Sequence, residues 1–274
     1  MRVTKIEKQK KYKKRYNIFL DNKFWLGIDE DILIRFALHK GQDLNQTLME
    51  EIMHHESINK HYLKAVNYLS FGLRSIHEMR QYLDKHIDDQ SDSKEDNINW
   101  IIQKLIQQSY LNDQVYGEAY VRTMMRINRK GPLVIQQELL QKGLDRDLVK
   151  SVLNEYPLEI GKENLYKLIE KFVGSKRKLP LKMVKTKLLQ HLQTKGYPLE
   201  WIQMIDLDKL IGQWHPGKNL EVLDHEARKI MRSKQRKYTG QVLKQRVSQS
   251  LFQKGFDYQD IQAWLDNHYH DFEE

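Results

Sequence analysis

One short pattern, present three times, constrains what this chain can fold into more than any other feature. Gln-Lys-Gly stands at 141–143, Thr-Lys-Gly at 194–196 and Gln-Lys-Gly at 253–255, so the glycines lie 53 and 59 residues apart. Aligned on Gly143, Gly196 and Gly255, five apolar columns coincide. Eight residues before the glycines stand Ile135, Leu188 and Val247, and four before stand Leu139, Leu192 and Leu251. Leu144, Tyr197 and Phe256 follow directly, then Val149, Ile202 and Ile261, then Val152, Ile205 and Trp264. Recurrence of a common helix end would explain Lys-Gly alone but not five matched columns. Each copy reads as a helix whose last-turn Lys suits the negative end of the helix dipole. Gly then takes the left-handed C′ conformation, and the next apolar residue folds back on the last turn. A second helix starts at once, with Asp145 or Asp257 as N-cap or Pro198 in its first turn.

Helical stretches at 113–128, 159–173 and 224–238 precede these pairs, which makes the unit three helices of roughly 45–60 residues. A diverged earlier unit fits 61–111, with the acidic loop 88–97 in place of Lys-Gly. Such a unit is too small to bury much apolar surface alone, so stacked neighbours must complete each core. Only 13 Gly and 5 Pro occur in 274 residues, which leaves few breakers for a many-turned β-fold.

Residues 1–58 differ. Val3–Gln9 alternates loosely, and Tyr16, Ile18 and Leu20 alternate cleanly. Asp21-Asn22 is a turn pair, and Lys23–Ile28 returns as a partner strand. Two short helices follow: one from Asp29 to Lys40-Gly41, the next opened by a capping box from Thr47 to Glu50. The expected fold is mainly α, with tandem three-helix repeats in an elongated curved array and a small N-terminal β-sheet plus short helices. The expected divisions are 1–58, then repeats at 59–112, 113–157, 158–207 and 208–274.

The chain has no cysteine, which excludes disulfides, thiolate metal sites and cysteine nucleophiles. Met1–Arg15 is basic without an apolar stretch, unlike a secretory signal. No run approaches the ~18 apolar residues of a membrane span. A cytoplasmic protein is expected. Gly212–Lys218 fits seven positions of a phosphate-loop pattern. The eighth is Asn219, which removes the Mg²⁺-binding hydroxyl, and no strand precedes it; an inter-unit connector is the better reading. His54, His55, Glu56 and His61 cluster without a metal-ligand spacing, and exposed polar histidines are expected. There is no Gly-x-Ser-x-Gly elbow, and the carboxylates interleave with lysines as solvated helix faces. No cofactor, metal or catalytic residue is expected.

Charge is more informative. The net charge is +9, and the cations are gathered rather than spread. Residues 1–16 hold eight Lys/Arg and one Glu. Lys171–Lys187 holds basic residues and no acid, and Asp224–Arg246 holds eight Lys/Arg against two acids. This clustering points to a polyanion, either nucleic acid or a nucleoprotein. The residues expected to carry partner or phosphate contact are Lys176, Arg177, Lys178, Lys182 and Lys185, with Arg228, Lys229, Arg232, Arg236 and Lys237.

Several motifs resemble one family. Arg15–Phe24 looks like the N-terminal module of its longer members. Ala65–Ser70 followed by Arg74-Ser75-Ile-His-Glu78 is similar to its most distinctive signature. Tyr110-Leu-Asn-Asp113 with Tyr116 and Tyr120-Val121 resembles a second signature. Lys130-Gly-Pro132, Ile135, Glu138-Leu139 and Lys142-Gly143 resemble a third. In order and spacing these resemble RecX proteins, bacterial regulators of the RecA recombinase, in the longer form of low-GC Gram-positive bacteria. Gly117 departs from the family's usual Ala. The resemblance implies a non-enzymatic monomer that binds RecA and the RecA–DNA filament. It would damp ATPase, strand-exchange and co-protease activities, and make weak unspecific contact with DNA. The alternative is a stand-alone DNA-binding protein using helix-turn-helix-like units.

Overall fold

The computed structural model describes residues 1–11, 14–87, 93–176, 179–214 and 218–269. The chain divides into two compact units, Met1–Tyr116 with Lys142–Leu144, and Gly117–Gln141 with Asp145–Glu274.

The first unit opens with an antiparallel sheet ordered β1 (Val3–Lys8), β2 (Arg15–Leu20), β3 (Lys23–Asp29). Asp21 and Asn22 make the β2–β3 turn with φ of 46° and 64°, the double positive φ that a two-residue hairpin requires. Helix α1 (Glu30–Arg35) is capped by Asp29, whose carboxylate accepts from Asp31 N at 3.3 Å. It stops well before the expected Gly41. Ala37 turns left-handed (φ 46°), Leu38 N bonds Leu33 O at 3.0 Å, and Leu38 is buried. Burial of the residue after the turn is what ends the helix.

Helix α2 (Gln46–Leu69) is a single helix of 24 residues. Its N-cap is Asn45, which accepts from Leu48 N at 2.8 Å, and not Thr47. Asn is the better cap by rank, and Glu50 instead receives Gln46 Nε2 at 2.8 Å. Met49 and Ile52 join the sheet core with Val3, Ile18, Leu20 and Ile28. Further along, Ile58, Tyr62 and Ala65 join a helical core with Met79 and Leu83 of α3 (Ile76–His86) and Ile98, Ile101 and Leu105 of α4 (Lys94–Gln107). Between the two cores lies the buried Glu56. Arg15 Nη2 reaches it at 2.5 Å and Asp29 N at 3.3 Å, so a basic residue of the N-terminal run is spent on an internal ion pair.

The helices that follow are α5 (Asp113–Arg126), α6 (Pro132–Gln141), α7 (Arg146–Leu153), α8 (Leu158–Ser175) and α9 (Leu181–Thr194). Then come α10 (Leu199–Gln203), α11 (Leu207–Trp214), α12 (Lys218–Lys234), α13 (Gly240–Gln253) and α14 (Tyr258–His268). Every residue of the five apolar columns is buried, at most 6 % exposed. Gly143, Gly196 and Gly255 have φ of 81°, 86° and 91°, the left-handed C′ geometry the pattern requires. Asp145 and Asp257 cap α7 and α14, and Pro198 precedes α10. Leu207 and Ile211 of α11 add a further helix to the core formed by α8, α9 and α10.

The Lys-Gly turns do more than end helices. Around Gly196, the N-terminal amides of α6 meet the C-terminal carbonyls of α9: Gly131 N bonds Lys195 O at 2.7 Å and Leu133 N bonds Gly196 O at 3.1 Å. Each helix end satisfies groups that the other leaves orphaned, and the dipoles meet favourably. A Cβ on Gly196 would lie 2.5 Å from Val134 N, and one on Gly131 would lie 2.2 Å from Gly196 O. In the first unit, Lys142–Leu144 meets the start of α3 in a related way. Ser75 Oγ accepts from Glu78 N at 3.1 Å and donates to Lys142 O at 2.7 Å. Asp113 Oδ1 takes the first amide of α3, Ile76 N, at 2.8 Å. A Cβ on Gly143 would lie 2.4 Å from His77 Cβ.

Candidate polyanion-binding surface

Helix α12 buries Leu223, Ala227 and Met231 and turns a polar face outward. His225, Arg228, Lys229, Arg232 and Ser233 recur at spacings of three and four, one stripe of the helix, and Arg236 follows in the turn after its end. With Asp224 they line an open groove of about 540 Å³. Asp224 accepts Arg228 Nε at 2.9 Å and Trp264 Nε1 at 2.9 Å. Burial pushes its carboxyl up, but these two bonds outweigh that and hold it below the usual carboxylate range. It therefore stays charged and fixes Arg228. Lys229, Arg232, Arg236 and Lys237 are exposed, and among the described residues none has a carboxylate within 4.0 Å. Their charge is available to a partner.

The expected residues near α9 fare differently. Lys185 Nζ reaches both carboxylate oxygens of Asp208 at 2.7 Å, an exposed pair. Lys182 is exposed on the same helix. Lys176 caps α8, with its ammonium 5.7 Å from the Phe172 ring centre. Arg177 and Lys178 lie outside the described residues. The structure thus gathers Arg228, Lys229, Arg232 and Arg236 into one groove and leaves Lys237 outside its lining, while the 176–185 set is divided between a cap, an ion pair and an exposed lysine. In the N-terminal run, Lys5 pairs with Glu7 at 3.0 Å, and Lys8 lies 5.9 Å from the Tyr16 ring centre. His225 and Ser233 belong to the groove but were not among the expected residues. The helical spacing from Arg228 and Arg232 would have found them.

Gly212–Lys218 lies partly outside the described residues, and helix α11, rather than a strand, leads into it. No group of three or more His, Cys, Asp or Glu able to hold a metal occurs among the described residues. No described helix is long and apolar enough to cross a membrane.

The three signatures of the sequence converge on the turn contacts. Lys142 Nζ donates to Glu78 Oε1 at 2.6 Å and lies 5.9 Å from the Tyr116 ring centre. Burial alone would raise the Glu78 carboxyl. The bonds from Lys142 and from Ser75 N outweigh it and leave the group below its ordinary value. Burial likewise pulls Lys142 down, and the bonds to Glu78 and Tyr116 carry it well above the usual lysine range. In the second unit Glu138 accepts Tyr120 OH at 2.9 Å and pairs with Lys130, while Tyr156 OH and Tyr197 OH donate to Lys130 O and Arg129 O, each at 3.0 Å. The signature residues therefore hold helix ends together.

Fold and surface define a class: a protein of tandem helical units whose helix ends are tied together by turn contacts, with a cationic groove along one helix. Models of the RecX N-terminal domain, the second RecX three-helix domain and the third match residues 1–45, 112–153 and 218–265. The chain is 34 % identical to the regulatory protein RecX of Listeria innocua serovar 6a over 274 residues, all of this chain and 99 % of that one. It is 34 % identical to that of Bacillus cytotoxicus over 267 residues, 96 % of each. A crystal structure of regulatory protein RecX superposes with a TM-score of 0.67 at 34 % identity, over 74 % of this chain and 98 % of that one. The chain belongs to the RecX family of regulatory proteins.

Proposed function

We propose that this chain binds RecA and its filament on DNA as a cytoplasmic, non-enzymatic monomer, and restrains ATPase, strand exchange and co-protease activity. Membership of the RecX family supports RecA as the partner. The observation that carries the mode of binding is the α12 groove, where Lys229, Arg232 and Arg236, with Lys237 next in the chain, are exposed without carboxylate partners within 4.0 Å among the described residues. Guanidinium groups pair with phosphate bidentately, and each such contact releases counterions, so binding through this stripe is steeply salt-dependent and indifferent to base sequence. Helical units bridging neighbouring protomers would hinder filament growth and the movements coupled to ATP hydrolysis.

The test is titration of the chain into RecA on single-stranded DNA, reading ATPase and strand exchange. The wild type should inhibit near stoichiometry. Charge reversal at Arg232, Arg236 and Lys237 should raise the amount needed by at least about tenfold and flatten the salt dependence by about one unit of slope for every phosphate no longer neutralised. Unchanged ATPase and strand exchange at stoichiometric wild-type protein would overturn the reading. Tight, sequence-selective DNA binding without RecA would replace it with a helix-turn-helix reader.

A further inference from the structure

The histidine cluster of α2 has no part in the reading above. Because α2 continues to Leu69, His54 and His61 do share a helix face, and His54, Ser57, His61 and Lys64 follow one another at spacings of three, four and three residues. This stripe, with His86 at the end of α3 and Ile58, Ile87 and Ile101, lines a cavity of about 360 Å³. The three isoleucines are buried and make an apolar floor. The groups able to carry charge on its walls are three imidazoles and an ammonium. No carboxylate among the described residues lines it. A second cavity of about 500 Å³ shares Ser57, His61 and Lys64 and adds Lys60 and Tyr82.

Beside the stripe runs a stacked column. The Arg74 guanidinium lies 4.7 Å from the Tyr68 ring centre, Tyr68 stacks on Tyr82 at 4.2 Å, and Tyr82 stacks on His86 at 4.2 Å. His86 ends the column and lines the first cavity. An exclusively apolar ligand would waste the basic wall, and a bare anion would waste the floor and the ring at its edge. A planar ring bearing a phosphate uses both, because every nucleobase has a face to stack and each phosphate oxygen accepts from Lys or His.

We infer that the cavity between α2, α3 and α4 is a nucleoside-phosphate site, with Lys64 and the histidines on the phosphate and His86 and the isoleucine floor on the base. The ligand is either a free nucleotide or the terminal unit of a single strand. The site does not rest on the recombinase reading, and its test needs no RecA.

The full chain is titrated with ADP and, separately, with a short oligothymidylate, by calorimetry and by ¹H–¹⁵N shifts. Saturable binding of either whose shifts fall on the α2, α3 and α4 residues around the cavity supports the site, and the one bound more tightly there identifies the source. Lys64→Ala and His86→Ala change exposed side chains, so both variants should melt with the wild type while binding at least about tenfold more weakly. Charge reversal at Lys23, an exposed residue outside both this cavity and the α12 groove, should leave ADP binding unchanged. Absence of saturable binding by both probes would overturn the inference. So would undiminished binding in both variants, or inorganic phosphate competing as well as ADP. Nucleotide binding that persists while RecA is unaffected would fail the proposed function alone.

Discussion

The turns at Gly196 and Gly255 have the same sequence logic, the same backbone conformation and the same buried columns, yet they meet their neighbours differently. At Gly196 two main chains touch. Amides of α6 bond carbonyls of the α9 turn, and glycine stands on both sides, Gly131 against Gly196. At Gly255 the nearest neighbour of an added Cβ is Met183 Cγ at 3.6 Å, an ordinary contact with a flexible side chain. Among the described residues no main-chain hydrogen bond joins that turn to α9. The first amide of α9, Leu181 N, is satisfied instead by Asn219 Oδ1 at 3.3 Å, and Asn219 Nδ2 donates to Asp260 at 3.0 Å. One contact is backbone to backbone and cannot adapt; the other runs through side chains and can. The lesson is that a recurring glycine can be required for space, for φ, or for both, and only the neighbour tells which.

The largest effect should come from filling the tight contact. Gly196→Ala combines a positive φ, costing about 1–2 kcal/mol, with overlap against Val134 N, costing a further 1–3 kcal/mol or so. Gly131→Ala carries the overlap alone, against Gly196 O. Urea unfolding should show a loss of about 2–5 kcal/mol for Gly196→Ala, a smaller loss for Gly131→Ala, and a double variant far from additive because both act on one contact. Gly143→Ala, facing His77 Cβ, should resemble Gly196→Ala. A loss below about 1 kcal/mol at Gly196 would mean the contact is no tighter than the one at Gly255.

An intermediate effect belongs to the Glu78–Lys142 pair, which ties the Gly143 turn to α3, whereas the corresponding lysine at Gly255, Lys254, pairs with Glu226 of α12. Both side chains are about a quarter exposed, at 25 % and 29 %, so Glu78→Gln should cost about 1–2 kcal/mol at neutral pH. The sign with pH is fixed. The Glu78 carboxyl lies below its ordinary value in the folded chain, so its contribution is complete above that ordinary value near 4.5 and fades as pH falls through the lower folded value. Lys142 lies above its ordinary value, so its share is complete below about pH 10.5 and is lost only as pH rises beyond. Urea midpoints followed from pH 7 to 3 should fall less steeply in Glu78→Gln than in the wild type. Parallel curves would show that the pair is not what couples the turn to α3.

The repeats were legible because burial and φ leave direct marks: apolar columns at helical spacing, and glycine where a left-handed residue is needed. The Asp21-Asn22 turn was legible for the same reason. The contacts between helix ends were not, because nothing in Ser75 or Lys142 alone says that a hydroxyl will meet a carbonyl 67 residues away. Thr47 does not cap α2 because Asn45, two residues earlier, offers the better acceptor. On the surface, charge clustering found the α12 groove. It also counted Arg15 and Lys185 as available, although Glu56 and Asp208 hold them. Composition records a charge but not its partner. The α2 histidines look unrelated in sequence as long as the helix is taken to end near residue 58, which would part His54 from His61.

The smallest effect is the most discriminating. Gly255→Ala meets open contact distance, so its cost is the left-handed φ of 91° alone, about 1–2 kcal/mol. Asparagine tolerates that conformation better than alanine, so Gly255→Asn should recover part of the loss. At Gly196 the same substitution should recover nothing, because relief of φ leaves the overlap with Val134 N in place. Since tandem units are stabilised by themselves and their neighbours, the loss should appear mainly in amides of α13 and α14. Hydrogen exchange on Gly255→Ala should therefore show faster exchange there and near-native protection in α6. Equal protection loss in α6 would mean that the side-chain bridge through Asn219 transmits strain as stiffly as a main-chain contact, and the distinction between the two turns would fall.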